Sequence, residues 1–96
     1  MLFGMSMKTQ NLSEEYLADL GHRIKLIRTY LRLDQRQFSE LMETAQSQIS
    51  KIEAGKSAPT LNHLIKIKRL SEKNDYLREN LSWDWIIDGK GKAIVG

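Results

Sequence analysis

Ninety-six residues, 15 of them basic, 12 acidic and none cysteine, make one small domain carrying a modest net charge of +3. That composition excludes a disulfide framework and a cysteine-based metal site, and no apolar run reaches the roughly 18–20 residues of a membrane-spanning helix. A cytoplasmic location fits these facts, but the charge excess is too slight to name a partner, so the order of residues must decide.

The opening stretch, Met1 to Met7, holds three methionines and lacks the basic flank of a signal peptide, so residues 1–12 are expected to form a flexible tail. Ser13 followed by Glu14 and Glu15 starts a helix, with a hydroxyl cap and acids at the positive end of the dipole. Leu17, Leu20, Ile24, Ile27 and Leu31 then recur at spacings of three and four, an apolar stripe with Arg23, Lys25 and Arg32 off it.

Asp34 and Gln37 have the spacing of a capping box and open a second helix near Gln35, running through Phe38, Leu41 and Met42. A break falls at Glu43-Thr44, and Thr44 or Ala45 caps a third helix that buries Ile49 and Ile52 and stops at Gly55. Pro59-Thr60 opens a fourth, with Leu61, Leu64, Ile65 and either Ile67 or Leu70 facing inward. The polar run Ser71 to Asn80 is either an extension of that helix or an irregular crossing. Leu81, Trp83, Trp85, Ile86 and Ile87 form a last apolar segment ended by Gly89. The expectation is an all-α domain of five helices over 13–91, with a tail at 92–96 in which Ala93 to Val95 could be extended.

The stretch from Asp34 to Thr60 carries the functional information. Two short helices joined by a tight turn, the second with small polar residues on its outer side, suit the reading of base edges in a DNA major groove. With Ile49 and Ile52 turned inward, Gln46, Ser47, Ser50 and Lys51 lie on the other side, where a glutamine in the first turn can make a bidentate contact to adenine. Gln35, at the start of the second helix, is placed to hold a phosphate, and Lys56 and Ser57 approach the backbone after the reading helix.

Other features read more plainly. His22 and His63 stand 41 positions apart without a carboxylate or cysteine pattern, which gives them no metal or catalytic role. Lys66, Lys68, Arg69, Lys73 and Arg78 are interleaved with Glu72, Asp75 and Glu79 and read as solvated surface. No nucleophile–base pair or glycine-rich phosphate loop is present, so neither enzyme chemistry nor a cofactor is expected. Trp83 and Trp85 lie two apart on a helix, so one seals the core and the other, with Ile86, is a candidate for self-association.

As an ordered set, Gln35, Phe38, Met42, Ile49, Ile52-Glu53, Gly55-Lys56 and Pro59 resemble the helix-turn-helix domains of lambda-repressor and Cro type, also called XRE-like regulators. The run from Leu81 to Gly91 resembles the ending of prophage-type repressors in that group. The resemblance implies a five-helix fold with the motif at about 35–54, and a homodimer bound to double-stranded DNA at a pseudo-palindromic operator. It also implies transcriptional repression and a structural ion pair between Arg28 and Glu53. The same fold can instead serve as an antitoxin-like or antirepressor module that docks on a protein partner. The chain departs from the pattern at Ser39 and Lys68, where alanine is usual, at Glu43, where glycine is common, and at Ala45, where a hydroxyl cap is usual. Ten residues also replace a two-residue connection before Leu81.

Overall fold

A computed structural model describes residues 13–91. The expected tails at 1–12 and 92–96, and the extended piece at Ala93 to Val95, lie outside the described residues. Six helices follow: α1 (Glu14–Tyr30), α2 (Gln35–Met42), α3 (Gln46–Glu53), α4 (Leu61–Ser71), α5 (Asp75–Asn80) and α6 (Trp83–Asp88), with no strand among the described residues.

Local chemistry accounts for most boundaries. The Tyr16 N–H donates to Ser13 Oγ (3.0 Å) at the start of α1. Asp34 and Gln37 close a reciprocal box at α2, the Gln37 N–H donating to Asp34 Oδ1 (2.7 Å) and the Asp34 N–H to Gln37 Oε1 (2.9 Å). Thr60 and His63 do the same at α4, with His63 Nδ1 accepting the Thr60 N–H (3.1 Å). Four ends are closed by a residue in the left-handed region: Arg32 after α1 (φ 61°), Glu43 after α2 (φ 57°), Gly55 after α3 (φ 77°) and Gly89 after α6 (φ 70°). At α3 the Lys56 N–H reaches Lys51 O (2.8 Å) and the Gly55 N–H reaches Ile52 O (3.1 Å), the paired bonds of a Schellman stop.

The core gathers Leu20, Ile24 and Ile27 of α1, Phe38 and Met42 of α2, Ile49 and Ile52 of α3, Ile67 of α4, Leu77 of α5, and Leu81, Trp85 and Ile86. Helix α1 lies against both α3 and α6, and α2 against α3 and α4. At the α1–α3 crossing the chains nearly touch: a Cβ on Gly21 would overlap the carbonyl oxygen of Ile52 and lie 2.8 Å from that of Glu53.

Several expectations need correction. Among the described residues there are six helices because, beyond Ser71, the last residue of α4, the polar run neither extends that helix nor crosses irregularly: Asn74 Oδ1 accepts the Leu77 N–H (2.9 Å) and starts a separate helix. Leu77 of α5 is fully buried, and Tyr76 stacks on Tyr30 of α1 with ring centroids 4.9 Å apart. Leu61 does not face inward and is 70% exposed. It precedes Ile67 by six residues, about 120° around the helix from the buried line. Ala45, not Thr44, is the N-cap of α3, and it makes no side-chain cap bond. Of the three self-association candidates, Trp85 and Ile86 are spent inside the chain's own core, and only Trp83 is exposed.

The unusual residues find local solutions. Ser39, buried, donates its hydroxyl to Arg36 O (2.7 Å) within its own helix. Lys68 is half-buried and carries its ammonium outward to Glu72 (3.7 Å).

Candidate nucleic-acid interface

Helix α3 has a committed side and an uncommitted one. Ile49 and Ile52 fix its inner face in the core. Gln46, Ser47, Ser50 and Lys51 are all exposed and share the opposite face, since 46 and 50, and 47 and 51, are each one turn apart. The side-chain hydrogen bonds that α3 does make belong to other residues: Gln48 Nε2 donates to Ser57 Oγ (2.9 Å), and Glu53 accepts from Arg28 and Gln35. The outer four therefore present an amide, two hydroxyls and an ammonium to whatever lies beyond.

What holds the helix in place is the cluster at its far end. Arg28 Nε donates to Glu53 Oε2 (2.7 Å) and Nη2 to Oε1 (3.0 Å), while Nη1 donates to Leu33 O (2.8 Å). Both side chains are nearly sealed, 10% and 3% exposed. The fork geometry and the third bond leave no guanidinium nitrogen idle, which is the condition for a buried charge pair to be tolerated. Gln35 Nε2 adds a bond to Glu53 Oε1 (3.1 Å), so one carboxylate ties α1, α2 and α3 together.

The residues expected near the DNA backbone fall on both sides of this cluster. Gln35 is half-buried at the first position of α2, its amide turned to Glu53. Of the first-turn N–H groups beside it, that of Gln37 is taken by Asp34 Oδ1, while those of Gln35 and Arg36 have no intrahelical acceptor. Lys56 is exposed, while Ser57 is half-buried with its oxygen occupied by Gln48. A hydroxyl that accepts one bond still has its own proton to give.

Three contributors escaped the reading of the sequence, and a fourth, Lys66, reads there as solvated surface. Gln48 ties the inner edge of α3 to the loop after it. Gly21 permits the close crossing. Arg23 closes the end of α6, with Nε donating to Ile86 O (3.0 Å) and Nη2 to Ile87 O (3.1 Å). Lys66 of α4 donates to Met42 O (3.1 Å) and Glu43 Oε1 (2.7 Å) in the turn between α2 and α3. Only Gly21 carried a local signal, a glycine in mid-helix. The hydrogen bond from Lys66, and then its charge, hold the Glu43 carboxyl below its ordinary range. Burial, and then the same ammonium, hold His63 below its ordinary value, which favours the neutral ring, and Nδ1 accepts from Thr60.

Among the described residues no group of three or more histidine, cysteine or carboxylate side chains could hold a metal ion. No helix there is long and apolar enough to cross a membrane. A family model described as helix-turn-helix matches residues 24–70, a span that opens within α1 and takes in α2, α3 and nearly all of α4. No curated protein and no solved structure matches the chain.

Proposed function

From the premise that the chain belongs, through residues 24–70, to the helix-turn-helix family of lambda-repressor/Cro type, a DNA-binding regulatory family, we propose that it is a sequence-specific transcriptional repressor. It acts in the cytoplasm as a homodimer on a pseudo-palindromic operator and catalyses no reaction. The observation that carries this reading is the division of α3: four exposed polar side chains on one face, and a locked opposite face that aims them.

In this reading Gln46 and Ser47 meet base edges first, Ser50 and Lys51 follow one turn on, and the backbone of the duplex is held from both flanks. Lys56 supplies charge. The Ser57 hydroxyl donates outward while its oxygen stays on Gln48. The first turn of α2, with Gln35, offers N–H groups to a phosphate. One such domain offers few contacts, so pairing is needed for tight selective binding, with two reading helices roughly 34 Å apart. Trp83, 43% exposed, is the large apolar side chain of α6 left to mediate it.

The test is duplex selection from a random pool with the purified protein, followed by titrations of the selected and a scrambled duplex. Gln46→Ala is expected to lower affinity for the selected duplex by about 10-fold and to leave the scrambled one nearly unchanged, while Lys56→Ala weakens both and flattens the salt dependence. Equal loss on both duplexes for Gln46→Ala removes it as a base reader. Failure to enrich any sequence removes the function.

A further inference from the structure

The turn between α2 and α3 sets the angle at which the reading helix leaves its partner, and it is built from unfavourable parts. Glu43 sits at φ 57°, ψ 45°, where a side chain costs about 1 kcal/mol or more. Ala45 gives α3 no side-chain cap. The turn's own backbone bonds are two, Glu43 N–H to Glu40 O (3.2 Å) and Thr44 N–H to Ser39 O (3.0 Å).

Lys66 reaches this turn from α4. Its ammonium bridges Met42 O (3.1 Å) and Glu43 Oε1 (2.7 Å), a backbone carbonyl and the carboxylate of the next residue. The ring closed in this way runs through the N–Cα bond of Glu43, so it restrains the one dihedral that is in the left-handed region. It also places a cation on the carbonyl end of α2, where the helix dipole favours one. The Lys66 side chain is only 27% exposed, so water competes less for it than for an ordinary surface lysine.

Resting on the DNA-binding reading, we propose that Lys66 is a positioning residue for sequence discrimination: its ammonium clamps the strained Glu43 turn and so fixes the direction in which Gln46 and Ser47 point. The clamp stands in for a glycine in the turn. Glycine would adopt the left-handed conformation without strain, whereas here a glutamate is held there by a partner on another helix.

Lys66→Met keeps the aliphatic stem and removes the clamp, and Glu43→Gly removes the strain. With melting curves confirming the fold, Lys66→Met is expected to lower affinity for the selected duplex by about 3- to 10-fold while affinity for a scrambled duplex falls less. Adding Glu43→Gly to Lys66→Met is expected to restore discrimination, and Lys66→Gln, which keeps a donor, to lie between. Amide exchange at Thr44, read without DNA, is expected to speed up in Lys66→Met and to slow again in the double variant. Equal loss on both duplexes with a shallower salt dependence, not rescued by Glu43→Gly, would make Lys66 a phosphate contact and overturn the clamp. Unchanged exchange at Thr44 overturns it as well. A wild-type protein that selects no sequence fails the DNA reading itself, and the discriminating role of Lys66 falls with it.

Discussion

The two ends of α3 are built on opposite plans. At its C-terminal end nearly every group is committed: Glu53 accepts from two nitrogens of Arg28 and from Gln35, Gly55 and Lys56 close the last turn, and the carbonyls of Ile52 and Glu53 press on Gly21. At its N-terminal end Ala45 supplies no side-chain cap bond, and Gln46 and Ser47 stand exposed. The difference shows how eight residues can be both rigid and available. Donors meant for a ligand must be left unpaired yet held in direction, so the rigidity has to come from the other end of the same helix. The open end is affordable because the closed one is over-determined.

Breaking the closed end should have the largest effect. Arg28→Ala leaves Glu53 as a buried carboxylate without its counter-charge and is expected to cost about 3–5 kcal/mol of unfolding free energy, read by denaturant titration. Replacing both partners with apolar residues, as Arg28→Met with Glu53→Leu, is expected to recover most of that loss, because no charge is then stranded. A double variant as unstable as the single one would mean that the stability comes from packing of the stems and not from the pair.

Gly21→Ala is a milder probe of the same end. In an ordinary helix interior this change stabilises by up to about 1 kcal/mol. Here the new methyl group would meet the carbonyls of Ile52 and Glu53, so α1 and α3 must part, and a loss of about 1–3 kcal/mol is expected. A rise in melting temperature would show that the crossing has room, and the rigidity of the closed end would then rest on the ion pair alone.

The open end was the more legible of the two. A helix period is local, so Ile49 and Ile52 facing in and Gln46 and Ser47 facing out follow from spacing, as do the Ser13 cap and the Asp34–Gln37 box. The closed end draws on residues far apart in the chain. Nothing beside Gly21 announces that Ile52, 31 positions on, passes against it, and Arg23 caps a helix more than sixty residues away. Leu61 misled because hydrophobicity was counted without its phase relative to Ile67. The six-residue α5 has too few turns to show a period, although Asn74 ahead of Asp75 is a fair start signal. Leu81 and Trp85 are four apart, and that spacing could have singled out Trp85 as the buried tryptophan.

The smallest effect should come from closing the open end. Ala45→Ser supplies the missing hydroxyl, which can take over the Gln48 N–H that now reaches the residue 45 carbonyl (3.0 Å), and is expected to raise stability by up to about 1 kcal/mol. The cap takes the third amide of the helix and leaves the N–H groups of Gln46 and Ser47 as they are. If the far end already holds α3 in its binding geometry, the added stability has no bearing on recognition, and affinity for the selected duplex should change by less than about 2-fold. If α3 instead frays at this end in the unbound protein, the cap would remove an ordering cost, and affinity would rise by about as much as stability does, roughly 5-fold for 1 kcal/mol. Parallel denaturant and DNA titrations of Ala45→Ser therefore separate an end that is open but aimed from one that is merely loose.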